Sequence, residues 1–474
     1  MNLIFGQNNF HIYGNNEDEF PTSIVNINPL GYFISIQRGN SQTYKYHSVI
    51  LKLDDDLNYL NSLPYIDSNK IRIFKIFNYD GLPLVVGSSK NKFNGSLYIA
   101  KMTTNLAIIA DTLLYIGDSI EVVDCMLNKD NNIVFVGKII DDNDTNTCFF
   151  AEVDSNLNFV RIVKSNFSDF YWYGSIIQNP LEKYYLIDNM ERIIKLDSNL
   201  YIQDTGYLNY PLPTKFISIP KLFALNDSIF LNLGRMSKFD PNNFIDYWIM
   251  AVIRSNFDKF MIDTITLEKL DTNILGNYQT IDIINDSCFV FGGTSNIDPI
   301  FPSTFEMRDH GIIIAKVNNN TGNIIWEKEF GGDAHYYLYQ LSGISENECI
   351  ALGTYWNWNI NPINERDIFI FKFDSAGNLI NNVKKINTRI ENFISIYPNP
   401  ARNVVNVSFK AASFEPRASS YELVDLVGKV LIRKSLDPIE RDFSFNVSGL
   451  PEGIYILRIM VKDGMIRRKI MVVH

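Results

Sequence analysis

Apolar and polar positions along this 474-residue chain repeat one phrase, a short apolar run that stops in a polar turn. One copy, Ile194 to Tyr201, reads "IKLDSNLY". The others read "LKLDDDLN", "AKMTTNLA", "AEVDSNLN", "AVIRSNFD", "AKVNNNTGN" and "FKFDSAGN". Their second residues are Lys52, Lys101, Glu152, Lys195, Val252, Lys316 and Lys372, at steps of 49, 51, 43, 57, 64 and 56 residues. Each copy follows another β-branched run bounded by Gly, Asn, Asp or Pro, such as "LPLVVGSS", "NNIVFVGK" or "DSCFVFGGT", which is the pattern of a strand. A weaker strand precedes that one and a fourth follows the phrase. Four short strands recurring at about 40 to 60 residues predict a β-propeller, and seven copies predict seven blades.

The patterning agrees with that packing. A blade is covered on both faces, so its inner strands should read as nearly continuous apolar runs, as "DIFIFKF" and "HGIIIAKV" do. Gly87, Gly137, Gly234, Gly292 and Gly353 recur near the end of the second strand, where a missing side chain permits close backbone approach. The repeated phrase is then the hairpin from third to fourth strand, with Asp, Ser and Asn side chains bonding to their own backbone. Two segments compete to close the ring, residues 2–13 and residues 379–386. Cys288 and Cys349 fall at equivalent places in neighbouring blades, and Cys125 and Cys148 on the first and third strands of one blade. Packed sheets lie about 10 Å apart and a disulfide needs Cα atoms within about 7 Å, so four free, buried thiols are expected.

Composition narrows the partners. Hydrophobic residues make up 46% and charged residues 20%, a globular and strand-favouring balance. A formal net charge of -10 and a pI near 5.1 repel phosphate backbones, which argues against a nucleic-acid partner. No run of about 18 apolar residues is present to span a membrane as a helix. The four cysteines show no CxxC spacing, and no cofactor or metal is expected. "DDNDTN", Asp141 to Asn146, lacks the glycine and the glutamate of a calcium loop and reads as a solvated hairpin tip.

After about residue 386 the period breaks. The linker is expected at about 387–392, between a propeller over 1–386 and a second domain over 393–474. The last stretch holds seven short strands with Gly, Pro and Asn turns, an Ig-like β-sandwich pattern. Its motifs are Tyr397-Pro398-Asn399-Pro400, a central Asp425 with Gly428 and Lys429, then Leu450, Pro451, Gly453, Ile454 and Tyr455, and a basic final strand with Arg467, Arg468 and Lys469. In this order they resemble the type IX (Por) secretion system C-terminal sorting domain of Bacteroidetes, over about a sixth of the chain. The resemblance implies export across the inner membrane by a cleavable signal and passage through an outer-membrane translocon that reads this domain. It also implies a secreted or surface-attached product, with the sorting domain cut off in the preceding linker, at about 383–392. "MNLIFGQNNFHIYG" lacks the pattern of an export signal, so either the true start lies upstream of Met1 or this is a truncated copy, and the abrupt entry into strand pattern suits the first.

Candidate chemistry lies on the propeller. Loops from second to third strand share one face with the blade-to-blade loops. There "RMSKFDPNNFIDYW", "GTSNIDPIFPSTFEMRDHG" and "GTYWNWNINPINERD" read as swollen loops of blades five to seven, the usual seat of binding on a rigid scaffold. Tyr171, Trp172, Tyr336, Trp356 and Trp358 are candidate stacking platforms for a sugar or peptide, with Asp333 and His335 as polar company. Five histidines without HExxH, GxSxG or a P-loop give no catalytic constellation. The sequence reads as a non-catalytic propeller that offers an unknown extracellular glycan or protein its loop-rich face. The rival is an extracellular glycan-active hydrolase or lyase on the same scaffold, which needs only two facing carboxylates. An inert spacer in a surface layer is the third reading.

Overall fold

The computed structural model describes residues 11–14, 17–40, 45–65, 71–89, 95–140, 146–165, 174–179, 183–188, 192–207, 216–225, 229–240, 245–256, 261–269, 273–276, 279–297, 310–331, 334–356, 366–380, 394–409, 418–425, 430–436, 442–461 and 464–473. The chain divides into two compact units, Met1–Asn381 and Asn382–His474. Among the described residues there is no helix.

The first unit opens on β1 (His11–Tyr13). Blade one follows as β2 (Asp18–Asn26), β3 (Tyr32–Asn40), β4 (Lys45–Leu53) and β5 (Tyr59–Tyr65). Blade two is β6 (Ile71–Tyr79), β7 (Leu82–Ser89), β8 (Gly95–Met102) and β9 (Ile108–Gly117). Blade three is β10 (Ser119–Leu127), β11 (Ile133–Ile140), β12 (Asn146–Val153) and β13 (Phe159–Ser165). Blade four is β14 (Gly174–Gln178), β15 (Tyr184–Asp188), β16 (Arg192–Leu196) and β17 (Ile202–Tyr207). Blade five is β18 (Phe216–Ala224), β19 (Ile229–Asp240), β20 (Ile245–Asn256) and β21 (Met261–Leu267). In blade six the first strand is broken into β22 (Asn273–Leu275) and β23 (Ile281–Asn285), both paired with β24 (Cys288–Ile297), before β25 (Gly311–Asn318) and β26 (Ile324–Gly331). Blade seven is β27 (His335–Ser345), β28 (Glu348–Trp356) and β29 (Asp367–Asp374), completed by β1, which pairs antiparallel with β29 through His11↔Ile370 and Tyr13↔Ile368. The N-terminal segment therefore supplies the fourth strand of the last blade, while Leu379 makes only an isolated bridge to Phe373. The result is an all-β, seven-bladed propeller.

Seven hydrophobic clusters fill the seven seams. Phe33 and Ile50 of blade one meet Ile73 and Val85 of blade two, and Leu84 and Ile99 of blade two meet Phe135 and Phe149 of blade three. The last seam joins Ile350, Leu352, Ile368 and Ile370 of blade seven to Ile24, Ile34 and Leu51 of blade one, which closes the ring. Alternate residues of one strand serve opposite seams, as Phe135 and Val134 do. Each such side chain is worth about 1.5–3 kcal/mol when withdrawn from water. The four cysteines are free and buried, and burial pushes the thiols of Cys148 and Cys349 up to about 12.

The repeated phrase is a turn and something more. Asp54, Asp154, Asp197 and Asp374 each accept backbone N–H bonds from the residues two and four positions on, Thr103 does the same through Oγ1, and Asn318 does so from the residues two and three on. The fourth residue of the turn is then left-handed: Leu57, Leu106, Leu157 and Leu200 have φ of 64°, 67°, 65° and 68°. Each of these leucines is buried in the seam with the preceding blade. A cation of that preceding blade, at the second position of its own phrase, donates to the carbonyl of the turn's second residue. Lys52 reaches the Thr104 carbonyl at 2.7 Å, Lys101 that of Ser155 at 2.5 Å, Arg254 that of Asn319 at 2.5 Å, Lys316 that of Ser375 at 3.3 Å and Lys372 that of Asp55 at 2.6 Å. In blade three, where Glu152 holds the place, its ion-pair partner Arg161 donates to the Ser198 carbonyl instead. The phrase is thus a latch between neighbours. It also corrects the alignment of blade five, because the strand irregularity that follows the latch residue lies between Arg254 and Ser255, as it does between Lys195 and Leu196. Arg254, not Val252, is the counterpart, and the flanking steps become 59 and 62 residues.

The recurring second-strand glycines answer to the innermost strand. Gly87, Gly137 and Gly353 each pair with the residue just before a bulge in β6, β10 and β27. A Cβ at these places would lie 2.7, 2.5 and 2.1 Å from the Arg72, Glu121 and Tyr337 carbonyl oxygens, an approach no side chain tolerates.

The closing seam carries charge as well as apolar surface. The Glu19 amide donates to the Arg366 carbonyl (2.9 Å), and the Arg366 amide to Asp18 Oδ1 (3.1 Å). The Glu19 side chain is fully enclosed, its Oε1 held by Arg38 Nε at 2.6 Å. Burial raises the Glu19 carboxyl to about 7 against the pull of Arg38, with Asp367 and Glu17 adding to the rise.

The second unit is a sandwich. β30 (Ile394–Tyr397), β31 (Val404–Phe409) and β34 (Asp442–Asn446) form one sheet. The other, in the order given, is β33 (Val430–Ser435), β32 (Ala418–Val424), β35 (Gly453–Val461) and β36 (Gly464–Val472). Val405, Val407, Phe443 and Phe445 pack on Tyr421, Leu423, Leu457, Ile459 and Ile470, with Tyr421 stacked on Phe443 at 4.6 Å.

Two outcomes follow from this packing. Leu200→Gly removes a left-handed leucine, a relief of about 1 kcal/mol, but empties a buried site worth about 2–5 kcal/mol. Urea unfolding should therefore show a net loss of about 2 kcal/mol, and an unchanged or raised midpoint would sink the plug role of these leucines. Glu19 binds its proton more tightly folded than unfolded, so the neutral form is the stabilising one. Stability contributed there is present below about pH 4.5 and lost as pH rises through about 7. Thermal melts of Glu19→Gln should fall less across that window than those of the parent, and parallel curves would contradict the assignment.

Candidate functional site

The meander places the connections from second to third strands, and from blade to blade, at one end of the ring. On blade seven the first ladder pair at that rim is His335↔Trp356. The two rings stack at 5.0 Å, and His310 of blade six stands edge-on to His335 at 4.8 Å. Burial, then the neighbouring His335, lowers the His310 pKa to about 4, so its imidazole is neutral at ordinary pH. Trp356 is half-buried and keeps part of its ring at the surface, whereas His335 is buried. Tyr336 is fully buried between blades six and seven, against Tyr355 and Phe369, and has no face to offer a ligand. Alternation along β27 explains this, since adjacent residues of a strand point to opposite sides. Tyr171, Trp172, Asp333 and Trp358, and the tip from Asp141, lie outside the described residues.

Blade five departs from expectation. The segment from Arg235 to Trp248 reads as a swollen loop, but β19 and β20 run on as a ladder through Ser237↔Trp248, Lys238↔Tyr247 and Asp240↔Ile245. Nothing in "RMSKFD" breaks a two-stranded ribbon, and the first proline is Pro241. The extended ribbon presents Arg235 and Trp248 side by side, with the guanidinium 4.9 Å from the indole centroid. Trp248 is held in turn by its amide, which donates to Asn273 Oδ1 of β22 at 2.7 Å. Tyr337, on the innermost strand of blade seven and edge-on to Tyr339 at 5.3 Å, is within electrostatic reach of Arg235. Burial lowers the Arg235 pKa and raises that of Tyr337. Sequence reasoning missed this cluster, although the period-two run through "RMSKFD" would have extended the strand.

Among the described residues, four carboxylates of the innermost strands are committed to the fold. Asp18 accepts from the Tyr46 hydroxyl and the Arg366 amide, and Glu19 is sealed against Arg38. Asp124 takes Lys75 Nζ at 3.0 Å and the Ile176 amide at 3.1 Å, and Asp282 takes the Gly343 amide at 2.8 Å, each tying one innermost strand to the next. Among the described residues no group of three His, Cys, Asp or Glu could hold a metal ion.

In the sandwich the motif residues hold their own fold. Asn399 is a staple to the final strand: its Nδ2 donates to the Lys469 carbonyl (2.9 Å) and its Oδ1 accepts from the Met471 amide (2.8 Å). Tyr397 is exposed, and Pro398 and Pro400, which lack backbone donors, flank Asn399 in the turn that leads to Ala401. Ala401 then pairs with the same strand through Met471 and Val473. The Tyr455 hydroxyl donates back to the Pro451 carbonyl at 2.7 Å, locking the corner that Gly453 opens. Gly428 and Lys429 lie outside the described residues.

Residues 395–473 match the family described as the secretion system C-terminal sorting domain. No curated protein is similar to the chain by sequence. Among solved structures it is similar to a protein of unknown function from Bacteroides caccae, at 8% identity and a TM-score of 0.33 over 77% of this chain and 93% of that one. It is similar also to BamB from Moraxella catarrhalis, at 10% identity and a TM-score of 0.36 over 77% and 95%. A third is a puromycin-hydrolyzing peptidase of Mycobacterium tuberculosis, at 9% identity and a TM-score of 0.46 over 85% of this chain and 60% of that one. The C-terminal sandwich is a type IX secretion system sorting domain, and the chain it ends is a propeller protein exported by that machinery to the surface or surroundings of a Bacteroidetes bacterium.

Proposed function

We propose that the propeller is a non-catalytic binding module that takes an extracellular ligand on its loop-rich face. What carries the reading is the contrast between two sets of side chains at that rim. Aromatic and cationic groups stand there partly open, with Trp356 on His335 and Trp248 on Arg235. Among the described residues, the innermost-strand carboxylates Asp18, Glu19, Asp124 and Asp282 are buried or engaged. Glu19 has the raised carboxyl expected of a general acid, but its side chain is fully enclosed and cannot touch a substrate. Aromatic faces backed by a rigid ring suit sugars and peptides alike, because stacking needs area and little reorganisation. Partnership with the type IX translocon belongs to the sandwich, so the propeller is left to define what the exported protein does.

The purified full chain, screened on an array of glycans and extracellular proteins, should retain a defined ligand class. Trp356→Ala should weaken that binding about tenfold or more, as loss of one stacking ring does, while leaving the melting temperature within a few degrees. Turnover of any retained glycan would sink the non-catalytic reading, and no retained ligand at all would sink the binding reading.

A further inference from the structure

The Arg235 guanidinium is a half-buried cation. Its contacts among the described residues are the Trp248 face and the field of Tyr337, and none is a carboxylate. Among the described residues many other cations set into the propeller are answered: Lys75 by Asp124, Lys138 by Glu121, Arg38 by Glu19, Arg254 by Asp263, and Lys52, Lys101, Lys316 and Lys372 by backbone carbonyls; Arg366, over the Phe20 ring at the closing seam, shares with Arg235 the lack of a carboxylate. A cation withdrawn from water without a counter-charge is costly, and an incoming anion would recover part of that cost by completing the pair. The placement favours such an arrival. Blade six's first strand is broken between β22 and β23, beside the ribbon that carries Arg235, and Tyr337 stands on the innermost strand of the next blade.

We propose that Arg235, Trp248 and Tyr337 form a receptor for the carboxylate of an acidic saccharide at the loop-rich mouth of the propeller channel. This rests on the reading of that face as the ligand-binding one. Guanidinium and carboxylate are planar and match in a two-bond fork, which a lysine cannot reproduce. A phenol and an indole supply flat apolar surface of the kind a pyranose ring packs against. An acidic peptide offers the same carboxylate, but an extended chain also wants a strand edge. Each blade has an edge at its fourth strand on the outer rim and another at its innermost strand, but on the innermost strands edge amides are already taken by neighbouring side chains: Ile24 by Gln340, Ile76 by Ser23, Ile176 by Asp124, Leu338 by Thr294 and Gly343 by Asp282.

The test uses the full chain and three probes: oligogalacturonate, the same oligomer with its carboxylates methyl-esterified, and poly-L-glutamate. Isothermal titration should show binding of the first alone, weakening as salt rises. Arg235→Ala should lose at least thirtyfold in affinity, and Arg235→Lys should recover little of it. In the absence of ligand Arg235→Met should melt at the same or a higher temperature than the parent, because a cation without a counter-charge has gone, and a lower melt would mean a structural role. Equal binding of the esterified oligomer, binding of poly-L-glutamate alone, or full affinity in Arg235→Ala would overturn the proposal while leaving the face a binding face. Failure of all three probes would also overturn it, and only failure of the wider array as well would remove the parent reading.

Discussion

Every blade has two apolar faces, and neither can be hidden except by another blade. That constraint forces a ring, because an open stack would leave two faces wet. The seam between blades seven and one shows the constraint met, with Ile350 and Ile368 packed on Ile24 and Ile34 and with β1 zipped to β29. Apolar burial is non-directional, however, and does not by itself set how one sheet sits on the next. The latch does. A side-chain cap shapes the turn, a left-handed leucine plugs the seam behind it, and a cation from the preceding blade takes hold of the turn's carbonyl.

Where the phrase varies, the same three jobs are done by other groups. Glu152 replaces the lysine in blade three, and Arg161 reaches across in its stead. Gly322 and Gly377 replace the leucine, and the space is filled from the preceding blade by the Arg254–Asp263 ion pair and by Trp326, whose Nε1 donates to the Ser375 carbonyl. Such substitutions are physically equivalent but look unrelated as letters. A rigid ring held in this way leaves the rim free to vary, and the unanswered charge of Arg235 can be borne there because the seams below carry the stability. The sandwich is held by its own motif residues, through Asn399 and Tyr455.

The sequence pattern by itself determined the blade number, the four-strand repeat, the free buried thiols and the terminal sandwich, because strand period and turn chemistry are local properties written residue by residue, while the sorting role was legible through the family resemblance that the sandwich's motifs carry. Only the tertiary structure decided the rest. Ring closure joins residues about 360 apart, so no local pattern could choose between the N-terminal segment and residue 379. Lys52 and Thr104 look like neighbours of nothing until two blades pack, and the register of blade five became legible only from the ladder around Arg254. Trp356 was readable as a rim aromatic because it ends a strand, whereas Tyr336 was not separable from it, since one position of alternation decides between surface and core. Arg235, Trp248 and Tyr337 come from three strands of two blades, and a cluster of that kind exists only once the ring is closed.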